Sequence, residues 1–432
     1  MQVVTLGLWH LGCVTAACLA AAGKRVVGLD PDVDVVARLE EGRPPIQEPG
    51  LTDLIAAGRA AGRLSFTTDA QAALAGADVL WVTFDTPVNA RDEADVASVR
   101  EKLEAIRGAV RPGTLVIVSS QLPAGFTRSL ARDWAPLGLT FAYSPENLRL
   151  GKALAAFQAP ERVIVGLTHD ADRPRVEELF QPYGQRLEWM SVESAEMTKH
   201  AINAFLATSV SFINELARLC ERVGADAREV ERGLKTEGRI GPRAYLSPGP
   251  PFAGGTLARD LRFLAGFGKD LGVATPLMEG VLASNDAHRG WLRERIAALL
   301  AGTAQPTVAV LGLTYKPGTD TLRRSTSVEL CSWLHGRGVR VQAHDPAIRG
   351  LPPELQGTMV LCDTPQQALA GADLAVVATE WPEYRALPPA HLAGRMRRSR
   401  VVDQTWFLAE TLARAPGVQY FAPGRAEKPT DE

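Results

Sequence analysis

The chain has little cysteine for its length. There are five in 432 residues, at positions 13, 18, 220, 331 and 362, and no two form a Cys-x-x-Cys pair. That spacing suggests neither a zinc site nor a disulfide framework, so no metal is expected. Net charge is also nearly absent. The formal value is −2, which gives no global field to attract nucleic acid or an anionic membrane; only local basic pockets for phosphate remain open. No apolar run reaches the ~18 residues of a membrane span. The start, Met1-Gln-Val-Val-Thr-Leu-Gly7, lacks a positive region, and Lys24 and Arg25 come too late for a signal peptide. These absences leave a soluble globular chain, cytoplasmic by default. Hydrophobic residues at 46% and charged residues at 22% fit that class, and the length calls for two or three domains.

What is present is an alternation of strands and helices. Val3 to Leu6 reads as a buried strand, Val14 to Ala22 as a helix, and Arg25 to Leu29 as a second strand ending at Asp30. A dinucleotide-binding loop at this place has the form G-x-G-x-x-G, with an acid after strand two for the adenosine ribose. Gly7 and Gly12 take the first and third glycine positions and Asp30 takes that of the acid; Gly7, Leu11, Gly12 and Asp30 are the expected cofactor contacts. Trp9 stands where the second glycine would admit a pyrophosphate, so an indole must point away or redirect the ligand. The loop alone leaves two readings open: a dinucleotide site, or an αβ unit without one. If Asp30 does hold a ribose, its carboxylate favours NAD over NADP.

The alternation continues. Asp78 to Thr83 leads into Asp85-Thr86-Pro87, Leu115 to Ser119 into Ser120-Gln121-Leu122-Pro123, and Leu139 to Phe141 into a loop ending at Gly151; Arg162 to Gly166 follows as a further strand. A parallel, doubly wound sheet with loops at its carboxyl edge is expected. Ser194 to Val223 reads as one long helix stopping near Gly224, with Glu196, Lys199 and Asn203 on one face. By itself that stripe is either a solvated face or part of a site. Gly249-Pro-Pro-Phe-Ala-Gly-Gly-Thr256-Leu-Ala-Arg-Asp260 looks like a glycine-rich loop turning into a helix. Strands at Thr307 to Leu311, Arg340 to His344, Leu374 to Thr379 and Arg400 to Asp403 make a second sheet, whose first loop carries Lys316, Asp320 and Arg323. The expected fold is α/β, with two Rossmann-like doubly wound domains joined by a long central helix and a helical middle domain. Boundaries fall at 1–185, 186–300 and 301–415. A tail follows at 416–432, disordered from about Gly424.

Taken in order, Glu48-Pro-Gly-Leu51, Thr86-Pro87, Ser144-Pro-Glu146, Leu148-Arg149, the Glu196-x-x-Lys199-x-x-x-Asn203 frame, the glycine loop ending at Asp260, and the run Lys316–Asp320–Arg323 resemble the signatures of the UDP-glucose/GDP-mannose dehydrogenase family. The resemblance covers about residues 1 to 410. It implies NAD as cofactor, with Thr86, Gln121, Arg259 and Arg323 also near it. It implies a nucleotide sugar, a UDP-sugar first, near Glu146, Asn147, Leu148, Arg149, Lys199, Asn203, Tyr245, Gly249 and Lys316. Lys199 matches an acid/base lysine and Asp260 the active-site aspartate. A homodimer through the middle segment and a place in polysaccharide precursor synthesis are implied in the same way.

The departures are specific. The family oxidises a primary alcohol twice, and a cysteine captures the aldehyde before water, positioned by threonine and glutamate, hydrolyses the thioester. Here the cysteine position is Thr256, the threonine position Gln121, and the glutamate position Leu150; Arg259 replaces a lysine, and Asp403-Gln-Thr-Trp406 replaces a D-G-R-N-like turn. The covalent and hydrolytic halves are missing together, while Lys199, Asn203 and Asp260 remain. A threonine alkoxide is far harder to form than a thiolate. Three readings follow: an oxidoreductase limited to one two-electron step or to oxidation and re-reduction, a full 6-dehydrogenase by another route, or a nucleotide-sugar-binding protein without catalysis.

Overall fold

The computed structural model describes residues 1–89, 94–146, 148–183, 186–323 and 325–426. The chain divides into two compact units. The first holds Met1–Asn203 and Gly254–Leu271; the second holds Ala204–Ala253 and the chain from Gly272 on. The long helix Val192–Val223 supplies its first part to one and its remainder to the other. Among the described residues no helix is long and apolar enough to cross a membrane.

The first unit is built on eight strands: β1 Gln2–Leu6, β2 Arg25–Leu29, β3 Leu64–Thr67, β4 Val79–Val82, β5 Leu115–Val118, β6 Thr140–Tyr143, β7 Val163–Leu167 and β8 Leu187–Ser191, in the order β3-β2-β1-β4-β5-β6-β7-β8. The central strands β4 (Val-Leu-Trp-Val) and β5 (Leu-Val-Ile-Val) are buried end to end. Both faces are covered, so these strands read as continuous apolar runs, as parallel sheets do. Alternate side chains serve opposite faces. Val3, Val79, Trp81, Leu115 and Ile117 pack with Cys13, Ala16, Ala17 and Ala20 of the first helix, His10–Ala21. Val4, Leu80, Val82, Val116 and Val118 pack on the other side with Phe126, Leu130 and Trp134. The first helix starts at His10, four residues before the expected Val14, and Trp9 is its N-cap.

One expectation is corrected here. The sheet is parallel through β6, but β7 pairs antiparallel with β6 and parallel with β8. The connection from β6 stays at the carboxyl end of the sheet, and a strand entered from its neighbour's carboxyl end runs against that neighbour.

The second unit contains β9 Thr307–Leu311, β10 Arg340–His344, β11 Val360–Leu361, β12 Leu374–Val377, β13 Arg400–Asp403 and β14 Gln419–Phe421. All are parallel, in the order β11-β10-β9-β12-β13-β14. This is the order of β1 to β6 repeated, the doubly wound arrangement whose ligands bind where strand order reverses. The segment set off as a tail from residue 416 thus supplies β14, and the disorder expected from Gly424 does not begin there. The Gly424 N–H donates to Glu221 Oε1 at 2.9 Å, its carbonyl accepts from Ala227 N–H at 2.9 Å, and Arg425 donates to the Tyr420 and Ala413 carbonyls. The Lys, Glu, Pro and Asp residues that suggested disorder lie at 427–432, outside the described residues.

Candidate active site

The loop after β1 has the geometry of a ligand cradle. Gly7 has φ +99°, and a Cβ there would strike Phe84; its N–H donates to the Leu29 carbonyl at 2.9 Å. Gly12 opens the first helix so close to the chain that a Cβ would lie 1.8 Å from the Gly7 carbonyl oxygen. Both positions therefore demand glycine. Asp30 closes the loop by accepting the Leu8 N–H at 2.6 Å and the Asp32 N–H at 2.9 Å. Trp9, the residue in the second-glycine position, has extended backbone with φ −89°, so no glycine is needed for conformation, and it is 45% exposed. No side chain caps this helix. Its N-terminal N–H groups, at the edge where strand order reverses and beside Leu11, suit an anionic pyrophosphate.

The second unit repeats the same device, and the difference between the copies is informative. Gly312 has φ +97° and donates its N–H to the His344 carbonyl at 2.8 Å, while the Leu313 N–H donates to Asp345. Asp345 also accepts from the Thr314 N–H and hydroxyl, from Trp381 Nε1 and from the Ala347 N–H, and it is 1% exposed. It is saturated. Asp30 is only partly buried and carries two of the roughly four hydrogen bonds a carboxylate can accept. Capacity for ribose hydroxyls remains at the first loop, so these residues fit NAD.

The carboxyl-edge loops of β5 and β6, the long helix and the helix Arg259–Leu271 bring the expected catalytic residues together. Asp260 is fully buried and accepts three side-chain donors: His200 Nδ1 at 2.8 Å on Oδ1, and the amides of Gln121 and Asn203 on Oδ2. Gln121 turns its own amide oxygen to Arg259 Nη2, and Arg259 Nη1 donates to the Thr86 carbonyl at 3.2 Å. The Thr86 hydroxyl is committed to the Gln121 carbonyl at 2.8 Å. Lys199, 6% exposed, donates to the Glu146 carbonyl at 2.6 Å and lies 3.7 Å from Glu146 Oε1; Glu146 in turn accepts the Leu148 N–H. The face Glu196–Lys199–Asn203 is therefore buried, and the solvated-stripe alternative fails. Glu196 has a structural task. Fully buried, it accepts the Gly125 and Thr127 N–H groups and the Thr127 hydroxyl at the start of the helix Phe126–Asp133. Its burial raises its pKa above the ordinary carboxylate value despite these bonds.

The other expected residues differ in exposure. Arg149 is exposed and Leu148 half-buried; Asn147 lies outside the described residues. Thr256 is exposed, within a wide helical turn at Gly254–Ala258 that precedes Asp260 by four residues. In the second unit the Gly249 N–H donates to Asn214 at 3.0 Å and its carbonyl accepts from His288 Nε2 at 2.8 Å. The Phe252 N–H donates to the Asn285 side-chain oxygen at 2.9 Å, and the Asn285 amide nitrogen donates to the Phe252 carbonyl at 3.1 Å. Burial lowers the His288 pKa, keeping it a neutral donor to the loop. Tyr245 is 58% exposed, Arg323 is exposed and Lys316 half-buried. At the Asp403-Gln-Thr-Trp406 turn, Trp406 holds φ +61°, a conformation costly for a bulky side chain. Trp406 donates Nε1 to the Pro423 carbonyl at 3.1 Å, and Asp403 accepts the Leu408 N–H and the Tyr420 hydroxyl.

His200 is the residue that motif reading missed. It sits four residues after Glu196 and three before Asn203, so the helical spacing that grouped those two would have included it.

The thiols are not activated as nucleophiles. Cys13 and Cys331 are fully buried and Cys18 and Cys220 nearly so. Burial raises every thiol pKa, to about 12 for Cys18 and Cys331, and a protonated thiol is a poor nucleophile.

Comparison with known proteins agrees with this layout. Residues 1–184 match the NAD binding domain of the UDP-glucose/GDP-mannose dehydrogenase family, 193–287 its central domain and 309–409 its UDP binding domain. A UDP-glucose 6-dehydrogenase of Rhizobium meliloti is 32% identical over 438 residues, covering 99% of this chain and 100% of that one. Another from Pseudomonas aeruginosa is 34% identical over 421 residues, covering 93% of each. The structure of a UDP-glucose dehydrogenase from Pyrobaculum islandicum superposes with a TM-score of 0.87 at 31% identity, covering 99% of this chain and 98% of that one.

Proposed function

The chain belongs to the UDP-glucose/GDP-mannose dehydrogenase family, and from that premise we propose that it is an NAD-dependent nucleotide-sugar oxidoreductase whose reaction stops after one two-electron step. The observation that carries the limit is Gln121. Its side chain spans from Arg259 to Asp260 in a buried position where the family places a water-holding threonine. Every acceptor oxygen of Asp260 is already engaged by protein. With Leu150 and Thr256 in place of glutamate and cysteine, no residue among the described ones captures an aldehyde or activates water toward it.

NAD, when bound, accepts the hydride. The chain's own residues handle the sugar hydroxyl. Lys199 is a buried ammonium held by a carbonyl oxygen, and losing its proton makes it the base for that hydroxyl. Asn203 gives its amide N–H to Asp260, which leaves its carbonyl oxygen as the end able to accept a hydrogen bond. An aldehyde or ketone is released, or is reduced again to an isomer. The substrate that best fits the UDP binding domain is a UDP-sugar, with Lys316 and Arg323 as its basic contacts.

The test is stoichiometric. With NAD and a panel of nucleotide sugars, the expected result is at most one NADH per sugar consumed and a carbonyl or isomeric product by mass spectrometry. Two NADH per sugar, with a uronic acid as product, would defeat the single-step reading. Absence of NAD binding would defeat the enzyme reading altogether.

A homodimer is proposed as well. Phe205, Phe212 and Leu219 recur every seven residues on the long helix and are 71%, 47% and 61% exposed. A stripe of that kind marks an interface. Sedimentation velocity should show a dimer that Phe212→Asp with Leu219→Asp converts to monomer; an unchanged sedimentation coefficient would remove this stripe from the interface.

A further inference from the structure

The proposed chemistry gives His200 no role. The His200 ring is fully buried, with Nδ1 2.8 Å from Asp260 Oδ1 and Nε2 3.1 Å from the Leu122 carbonyl oxygen. The rings of Phe263 and Phe267 stand edge-on to it at 5.3 and 6.2 Å between centroids. Both polar neighbours are acceptors. A neutral imidazole has one N–H and one lone pair, so it can donate to only one of them; bonding both takes the imidazolium. The same proton placed on Asp260 would serve less well. Oδ2 of Asp260 already receives two amide N–H groups, which suits a carboxylate, and Arg259 lies one side chain away through Gln121.

We propose that His200 is a positioning residue: an imidazolium that joins Asp260, on the helix Arg259–Leu271, to the Leu122 carbonyl in the loop after β5. The bond to Oδ1 leaves Oδ2 as the acceptor for Gln121 and Asn203. It thereby decides which end of each amide faces Asp260. With Asp260 so held, Asn203 keeps its carbonyl oxygen outward and Gln121 keeps its own on Arg259. His200 acts through Asp260 and touches no reacting atom. The charged groups around it are Asp260 from the facing helix, Arg259 behind it, and Glu196 and Lys199 on its own helix. Leu122, Phe263 and Phe267 also border the ring, and the buried Tyr143 lies within electrostatic reach of Asp260 and Glu196. The kinetic consequence rests on the hydride-transfer reading, but the ion pair does not.

Two measurements on the full-length protein separate these. The first is nitrogen-15 NMR of histidine-labelled protein, whose seven histidines are resolved by difference against His200→Gln. In the folded, unaltered protein the His200 ring, set between two acceptors, is expected to carry protons on both nitrogens. In Asp260→Asn it is expected to carry one. A singly protonated ring in the unaltered protein overturns the proposal whether or not the protein turns over a sugar. The second is kinetic. His200→Gln is expected to lower kcat on the order of 10- to 100-fold, the cost of a small misplacement, with NAD affinity unchanged. A lowered Tm with kcat unchanged below melting would mean that His200 only packs, and would overturn the positioning role. A protein that binds NAD but transfers no hydride would fail the proposed function while the NMR result still decided the ion pair.

Discussion

Asp260→Ala is expected to destabilise the first unit by on the order of 5 kcal/mol, read as a fall in the denaturant midpoint of its unfolding transition. The reasoning starts from burial: Asp260 has no exposed surface, and neither does His200. Removing the carboxylate leaves His200 without its buried partner; the ring can shed its proton, so the cost is that of a lost charged hydrogen bond, about 1.5–3 kcal/mol. The substitution also leaves the Gln121 and Asn203 amides without their acceptor, at about 1–3 kcal/mol for each donor left unmade. The groups share one carboxylate, so these costs overlap rather than add. Asp260→Asn preserves shape and one acceptor oxygen, and is expected to cost less. A loss below about 1 kcal/mol in Asp260→Ala would show that water replaces the carboxylate easily, contrary to the full burial of Asp260.

The contacts of Asp260 also show where sequence reading stopped. Lys199, Asn203 and Asp260 could be named from their spacing and motif order, because a helix puts residues three and four apart on one face. Both sheets could be named from their apolar runs. The reversal at β7 could not, since strand direction depends on where a loop leaves the sheet and not on its composition. The tie between Gln121 and Arg259 was equally invisible. Each reads in sequence as an isolated substitution, threonine to glutamine and lysine to arginine, 138 positions apart; in the fold one side chain receives the other's hydrogen bond. Restoring threonine at 121 alone would strand a guanidinium N–H and an Asp260 lone pair together. A reconstruction of acid-forming activity through Thr256→Cys, Leu150→Glu and Gln121→Thr therefore also calls for Arg259→Lys. His200 was legible in principle, on the same face as Glu196, but nothing in its neighbours' motif marks it. Only the meeting of two acceptors on one ring shows what it does.

Lys199→Met is expected to lower kcat by about 100- to 10,000-fold, the usual worth of a positioned proton-transfer group, while leaving NAD affinity and the folded structure intact. Methionine keeps the length of the apolar stem and removes only the ammonium. The lost bonds are one to the Glu146 carbonyl and a 3.7 Å ion pair with a side chain that is 26% exposed. Water can replace much of that, so the effect on stability should be small. Glu196, one turn earlier, is held by Gly125 and Thr127 and does not depend on Lys199. The kinetic split separates the two tasks Lys199 could have. If it only pins the Ser144–Gly151 loop, sugar KM rises and kcat stays within about threefold, the signature of lost uniform binding. If it takes the hydroxyl proton, kcat collapses while sugar KM changes little. The second pattern is the one expected. The first would remove Lys199 as the base of the proposed hydride transfer.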